Sequence, residues 1–249
     1  MVESFIINFV TIINLTLIAG ILPLIERKYL SLTQRRVGPD FTGYKGRFQF
    51  AVDALKVFTK QCALPLKNNP HLLFIGPAMV ISAGYMTYIT VFWSTNHTFF
   101  DIEYNLLYIT LLSYIFNFYI ILTGLSVNNK YATIASLRTI IILFSLELLL
   151  GLLYLNFYLF WKSFNFSIIL TFQQELPSIC LFGGLYSIII IIIFLDINRC
   201  PYDLNEAESE LVAGFHVEFG GFFFGLFYLS EYFHLFFYTI LFITFFIGI

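Results

Sequence analysis

Long apolar runs alternate with short polar segments along the whole chain. A bilayer core of about 30 Å requires roughly 20 apolar residues in a helix, and each run is close to that length. Lipid offers the backbone no hydrogen-bond partner, so apolar runs of this length are helical. The sequence lacks the alternating pattern that is typical of membrane barrels. The runs predict transmembrane helices over about residues 4–25, 71–93, 104–125, 131–155, 177–197 and 219–249.

Positive charges lie almost entirely on one side of the predicted membrane. Twelve of the 13 lysines and arginines fall in or beside the connections 26–70, 126–130 and 198–218, and only Lys162 falls on the opposite side. Because cytoplasmic and matrix loops collect Lys and Arg, these three connections are predicted to share that face. The pattern as a whole predicts one all-α membrane domain, residues 1–249, with six transmembrane helices and a long amphipathic first loop.

The composition strengthens the membrane prediction. Apolar residues make up 59% of the chain and charged residues only 11%, whereas a soluble domain keeps about a quarter of its residues charged. The three cysteines are far apart and lack metal-ligand spacing, so we expect neither a disulfide framework nor a metal or iron–sulfur site in this chain. The heavy use of Phe, Ile, Leu, Tyr and Asn indicates an AT-rich genome, which fits an organelle, although some bacteria share this bias.

The first loop contains an amphipathic segment. Polar residues at Gln49, Asp53, Lys56 and Lys60 form a narrow stripe on segment 47–60, and apolar residues occupy much of the rest. This spacing is typical of an amphipathic helix. Two placements remain open. The helix either packs beneath the spans and lines a cavity, or lies in the membrane surface with its lysines extended toward water.

An acidic connection joins the fifth and sixth predicted spans. Segment 196–218 contains one cation, Arg199, and the helix-breaking Pro201. It also contains six carboxylates: Asp196, Asp203, Glu206, Glu208, Glu210 and Glu218. A simple connection between spans needs few polar residues, so we interpret this segment as the floor of a site at which negative charge and protons are handled.

Two acids lie inside predicted spans, Glu147 in the fourth and Glu231 in the sixth. A charged residue at such depth costs about 2.5–3.5 kcal/mol, so these acids are expected to face the bundle interior, to pair or to carry a proton. With Asp196 and Glu218 at span ends, they predict a connected proton relay; the alternative is that each acid is a neutral packing residue. His234 lies three positions after Glu231 and either hydrogen-bonds it or packs as an aromatic ring.

Four segments carry a family resemblance. Segment 26–40 reads ERKYLSLTQRRVGPD, and segment 46–56 reads GRFQFAVDALK. Segment 201–214 reads PYDLNEAESELVAG, and segment 230–232 reads SEY. These segments resemble the NADH dehydrogenase subunit one family, which forms the quinone chamber in the membrane part of respiratory complex I. Their order, spacing and position relative to the spans agree with that family over essentially the whole chain.

The resemblance implies a core membrane subunit of proton-pumping NADH:ubiquinone oxidoreductase, without a redox centre or catalytic residue of its own. It implies that the chain shapes the ubiquinone tunnel and couples quinone reduction to proton translocation. The implied tunnel positions are Arg27, Arg36, Asp53, Lys56, Arg199, Asp203, Glu206, Glu208 and Glu210. The implied acidic path is Glu147, Asp196, Glu218 and Glu231, the same four acids that the residues alone suggest.

The resemblance also implies partners. Ubiquinone is the expected substrate, and FMN and iron–sulfur clusters are expected only in partner subunits. Those partners are the peripheral-arm subunits at the quinone site and antiporter-like membrane subunits, together with lipids; no nucleic acid is expected. The family has two spans beyond the sixth, and this sequence stops after the sixth, so we expect either that a separate chain supplies the last two helices or that this sequence is a fragment of a longer chain.

Three positions depart from the family pattern. Asp196 stands where the family usually has Glu, Tyr202 replaces the Phe of a Pro-Phe-Asp signature, and Gln61 stands where a Glu is common. The side chain of Asp196 is one methylene shorter than that of Glu, so its carboxylate reaches less far toward the other acids of the relay.

Other functions compatible with the sequence are the membrane subunit of a related ion-pumping hydrogenase, a stand-alone proton transporter and a structural anchor. An anchor would not need Glu147 and Glu231.

Overall fold

The computed structural model describes residues 2–62, 70–89, 104–173, 178–199, 202 and 214–247. Within these ranges, only the backbone is described for residues 2–8, 70, 88–89, 166–167 and 180–181. Every regular element in these ranges is helical, which confirms the predicted all-α class. The α-helices are α1 (Val2–Thr33), α2 (Gln49–Thr59), α3 (Pro70–Ile89), α4 (Asn105–Ser126), α5 (Lys130–Trp161), α6 (Phe166–Gln173), α7 (Ser178–Leu181), α8 (Gly183–Asp196) and α9 (Phe222–Phe246). Short 3₁₀-helices cover Tyr44–Gly46 and Gly214–His216.

Four helices are long and apolar enough to cross a membrane: α1 from Phe9 onward, α4, α5 and α9. The apolar stretches of α3 and α8, His71–Thr87 and Gly183–Asp196, are shorter. These six helices lie where the six spans are predicted. The described structure agrees with an all-α membrane protein, while the number of spans and their boundaries remain predictions.

Two helices continue beyond the predicted apolar spans. α1 runs on past residue 25 to Thr33, so Glu26 and Arg27 stand on a helix. α5 runs on past residue 155 to Trp161, so Asn156 also stands on a helix. At the other end of α5, the Asn129 side chain accepts a hydrogen bond from the Tyr131 N–H and caps the helix. Both extensions place polar side chains at fixed positions next to the ends of the apolar runs.

The central helix of the described chain is α9. It packs against α1, α2, α3, α6 and α7, while α4 packs against both α3 and α5. Phe237 of α9 belongs to an apolar cluster shared with α4, α5 and α8, Phe227 to a cluster shared with α3 and α4, and Phe233 to a cluster shared with α1. These clusters fix the positions of the polar residues that α9 carries between them.

Helix α2 packs against α1 and α9. Gly225 of α9 permits the close approach, because an added Cβ there would lie 2.7 Å from a methyl carbon of Val57. The half-buried Gln49 and Asp53 face this contact, and Asp53 accepts a hydrogen bond from Arg27 of α1. Helix α2 thus contacts two of the predicted spans, while its apolar side chains Val52, Leu55 and Phe58 are exposed; the two placements that the sequence leaves open stay predictions.

Candidate functional site

A small cavity lies between α4, α5, α8, α9 and the 3₁₀-helix Gly214–His216. Its lining includes Asn117, Asp196, Glu231 and His234. The cavity volume is about 20 Å³, and about 10–15 Å³ is enough to hold one water molecule. Asp196 and Glu231, two of the acids predicted for the relay, therefore meet at one cavity with room for water.

Glu147 faces the interior of the bundle, with an exposed fraction of 4%. Asn117 of α4 donates a hydrogen bond from Nδ2 to Glu147 Oε1 at 2.5 Å. Burying a polar group costs free energy unless it is hydrogen-bonded, and Asn117 supplies that bond. Because Asn117 also lines the cavity, it connects Glu147 with the space shared by Asp196 and Glu231.

Asp196 is the last residue of α8, and its side chain is buried. In the described part of the chain its two carboxylate oxygens have no partner in ordinary hydrogen-bond geometry, although the Tyr238 hydroxyl interacts with them. His234 Nδ1 lies 3.9 Å from Asp196 Oδ2, and the imidazole stacks on Phe116 at a centroid distance of 3.8 Å. Of the two possibilities for His234, the packed ring is observed, and the ring faces Asp196 rather than Glu231.

Glu231 contacts a histidine from outside its own helix. Nε2 of His216 lies 3.4 Å from Glu231 Oε1, which is at the long end of hydrogen-bond distances. The two side chains are 7% and 28% exposed, so the carboxylate is the more accessible partner. The rings of Phe215 and Phe227 lie against the imidazole and hold it in place next to the cavity.

A second polar cluster lies next to Glu231, where α1, α9 and the segment after α8 meet. Arg199 Nη1 donates to Glu26 Oε1 at 3.3 Å, and the guanidinium lies 4.9 Å from the centre of the Tyr232 ring. The Tyr232 hydroxyl donates to Glu26 Oε2 at 2.7 Å and is 3.3 Å from the Tyr228 hydroxyl. Burial lowers the pKa of Arg199, but its interactions with Tyr232 and Glu26 outweigh burial and raise the pKa overall, so the guanidinium stays charged.

The predicted tunnel positions of the first loop divide into two groups. Arg27 Nη1 donates to Asp53 Oδ2 at 2.9 Å, and Gln49 Nε2 donates to Asp53 Oδ1 at 2.9 Å. Arg36 and Lys56 are exposed. The structure thus brings Arg27 and Asp53 together between α1 and α2, beside Glu26, and leaves the other two cations on the surface.

Glu218 lies outside the cavity lining. It is half-buried and accepts a hydrogen bond from Asn129 Nδ2 at 3.1 Å, at the residue that caps α5. Its position is therefore at the end of the bundle that carries the loops. The other acids of the connection, predicted as tunnel positions, lie outside the described residues: Asp203, Glu206, Glu208 and Glu210.

Several residues complete these contacts without having been predicted to do so, among them Glu26, Asn117, His216 and Tyr232. The sequence could have indicated Asn117, because an amide side chain in the middle of an apolar run is costly in a membrane unless it has a hydrogen-bond partner. Glu26 and Tyr232 are direct sequence neighbours of predicted positions. No sequence signal pairs His216 with Glu231, because their contact joins two separate elements.

Known proteins match this chain over nearly its whole length. The family model described as NADH dehydrogenase matches residues 6–249. NADH-ubiquinone oxidoreductase chain 1 of Paramecium tetraurelia is 44% identical over 94% of this chain and 90% of its own length. The chain 1 protein of Chondrus crispus is 34% identical over 92% of this chain and 71% of its own length. The chain 1 protein of Rhipicephalus sanguineus is 31% identical over 93% and 74%. With its motifs, its helices and these matches in agreement, the chain belongs to the NADH dehydrogenase family.

Proposed function

We propose that this chain is a core membrane subunit of a proton-pumping NADH:ubiquinone oxidoreductase in the mitochondrial inner membrane. In this function it shapes part of the ubiquinone tunnel and couples quinone reduction to proton translocation through its buried carboxylates. Partner subunits hold FMN and the iron–sulfur clusters, and antiporter-like membrane subunits receive the coupling signal. The observation that carries the proposal is a track of polar side chains from the first loop to Glu147.

The track begins at the loop end of the bundle. Arg27 and Asp53 join α1 to α2, and the adjacent Glu26 holds both Arg199 and Tyr232. Nη2 of Arg199 is buried without a hydrogen-bond partner in the described part of the chain. A quinone carbonyl or a carboxylate is a suitable acceptor for this donor, which supports a binding role for this end of the track.

The interior half of the track runs from Glu231 to Glu147. Glu231 and Asp196 both line the water-sized cavity, and Asn117 joins that cavity to Glu147. The cavity has the volume that one bridging water needs, and water can link polar groups that do not touch directly. Carboxyl groups that share such a site titrate as a coupled set.

Electrostatic coupling links the two halves of the track. Reduction and protonation of a quinone near Arg199 changes the local charge. Two unit charges about 4 Å apart interact by about 4 kcal/mol at an effective dielectric constant of about 20, and the interaction falls only inversely with distance. A tenfold change in proton affinity needs only about 1.4 kcal/mol. At this dielectric constant the tenfold effect extends to a separation of roughly 12 Å. In the proposed function, a change of charge at the loop end redistributes protons among Glu231, Asp196 and Glu147.

Glutamine substitutions in the assembled complex test the proposal. Glu147→Gln and Glu231→Gln keep the size of the side chain but remove the titrating proton. We expect NADH-driven proton translocation and coupled ubiquinone reduction to be lost, while electron transfer from NADH to an artificial acceptor continues. Asp40→Asn, at an exposed carboxylate outside the track, is the matched control and should change none of these rates. Wild-type pumping in both glutamine variants would refute the proposal.

A stand-alone proton transporter predicts a different result. The isolated chain in proteoliposomes would then conduct protons without NADH, quinone or any partner subunit. In the proposed function, proton movement requires the assembled complex and electron flow. Proton flux should therefore be absent from vesicles that contain this chain alone and present in vesicles that contain the whole complex and are supplied with NADH and ubiquinone.

A further inference from the structure

Asp196 and His234 form a deeply buried pair of titratable groups. Their side chains are 2% and 4% exposed, and 3.9 Å separates Asp196 Oδ2 from His234 Nδ1. In the described part of the chain, Nε2 of the imidazole has no hydrogen-bond partner. The carboxylate oxygens have none in ordinary geometry, although the Tyr238 hydroxyl interacts with them. Both residues line the cavity. Buried polar atoms are nearly always hydrogen-bonded to protein or water, and the cavity has room for one water molecule beside these atoms.

The depth of the pair limits its protonation states. An isolated ion in a buried site costs several kcal/mol, which disfavours both a lone carboxylate and a lone imidazolium. If the pair shares one proton, this cost is avoided. The proton lies either on the Asp196 carboxyl group, beside a neutral imidazole, or on the imidazole, beside a carboxylate, and the pair has zero net charge in both states. Transfer breaks the Nδ1–H bond of His234 and forms an O–H bond on Asp196. If one water mediates the transfer, it accepts a proton from the imidazolium as it gives another to the carboxylate.

Aromatic packing holds the imidazole in position for this exchange. The ring lies nearly parallel to Phe116 of α4, with an angle of 20° between the planes. The ring of Tyr238 meets it edge-on from the same helix, one turn away. With neighbours on two sides, the imidazole has little freedom to turn Nδ1 away from Asp196. The geometry is thus fixed by packing, although the pair makes no direct hydrogen bond.

We propose that His234 is the proton-exchange partner of Asp196. With a cavity water, the imidazole of His234 carries the proton across the gap that the short Asp196 side chain leaves to the other cavity groups. This inference rests on the proposed coupling function and adds a residue to the relay. Other titratable groups near the pair are Glu147 and Tyr154 from α5, Glu231 and Tyr238 from α9, and His216 from the 3₁₀-helix.

Variants of the assembled complex test this exchange. His234→Asn keeps a polar side chain but cannot carry the proton. We expect coupled NADH:ubiquinone turnover and pumping to fall by about tenfold or more, since positioned proton transfer contributes about 10²–10⁴-fold. Combining it with Asp196→Glu extends the carboxylate by one methylene into the cavity and should restore part of the turnover. His71→Asn, at an exposed histidine of α3, should have no effect.

Two controls separate proton exchange from folding. The amount of assembled complex and the rate of electron transfer from NADH to an artificial acceptor should be unchanged in His234→Asn. A structural role for the ring would lower the amount of complex, and a longer carboxylate at position 196 would not correct that defect. Wild-type turnover in His234→Asn, or no recovery in the double variant, would overturn the proposal.

Infrared difference spectroscopy gives a readout that does not depend on pumping. In hydrogen–deuterium exchange spectra of the resting complex, the Asp196 carboxyl band is identified as the band that is lost in Asp196→Asn. This band should shift in His234→Asn and keep its position in His71→Asn. A band that does not shift in His234→Asn would overturn the pairing. If the band shifts in that variant but does not change when quinone is reduced in the wild type, the pair is supported and the proposed coupling function fails.

Discussion

Arg199 and Glu26 are 173 positions apart in the chain, yet a guanidinium nitrogen of one and a carboxylate oxygen of the other are separated by only 3.3 Å. Glu26 lies on the part of α1 beyond the predicted first span, and Arg199 follows the end of α8. Tyr232 completes the contact from α9, because its hydroxyl donates to the same carboxylate and its ring lies against the guanidinium. One acid thus joins three elements around the loop end of the polar track.

Arg199→Lys keeps the positive charge but loses the planar group that donates to Glu26 and stacks on Tyr232. The two charged side chains are 31% and 38% exposed, so solvent screens the pair and we expect a loss of only roughly 1–2 kcal/mol. If the whole loss is felt in the transition state, the rate of ubiquinone reduction falls by about 5–30-fold, which sets the upper limit expected in steady-state NADH:ubiquinone assays. Arg35→Lys, at an exposed arginine, is the control. Equal rates in the two variants would contradict a role for this contact.

Hydropathy predicts where the buried acids lie but not which residues pair with them. Glu147 and Glu231 stand out because each interrupts an apolar run. Their partners, Asn117 and His216, belong to other elements and lie 30 and 15 positions away, and neither separation is the short helical spacing that would signal a contact. Each partner depends on how neighbouring helices rotate and pack, which the order of apolar residues does not determine.

Asn117→Leu tests whether Glu147 depends on its hydrogen-bond partner. Leucine cannot donate to Glu147, and removing one partner of a buried hydrogen bond costs about 1–3 kcal/mol. We expect a lower thermal stability of the assembled complex and fewer protons pumped per NADH, since the connection between Glu147 and the cavity is lost. Asn156→Leu is the matched control, because Asn156 is exposed on α5 and donates to the Leu152 carbonyl. If Asn117→Leu pumps normally, Glu147 does not communicate with the cavity through this amide.

Packing also determines the orientation of two sets of side chains that helical spacing does not predict. His234 lies within reach of Glu231 on an isolated helix, but in the bundle its ring faces Asp196. The polar stripe of α2 could face water or protein, and the structure divides it: Asp53 meets Arg27 on the extended part of α1, whereas Lys56 and Lys60 are exposed. That extension is polar, so the length of an apolar run does not predict it. Sequence patterns thus predict the helices and the acids, and tertiary contacts determine the track that joins them.

The turn before α9 requires glycine at position 221. Gly221 has a φ of 58°, and an added Cβ would lie 2.8 Å from the carbonyl oxygen of Lys60. With its ψ of −129°, this backbone conformation is sparsely populated by residues other than glycine. Gly221→Ala therefore introduces backbone strain of about 1–3 kcal/mol and a backbone clash, which together should separate the first loop from α9. We expect lower thermal stability of the complex and slower ubiquinone reduction. Gly220→Ala is the matched neighbour, since no atom lies within 4 Å of an added Cβ there. Equal stability and activity in the two variants would show that the close contact between the first loop and α9 is dispensable.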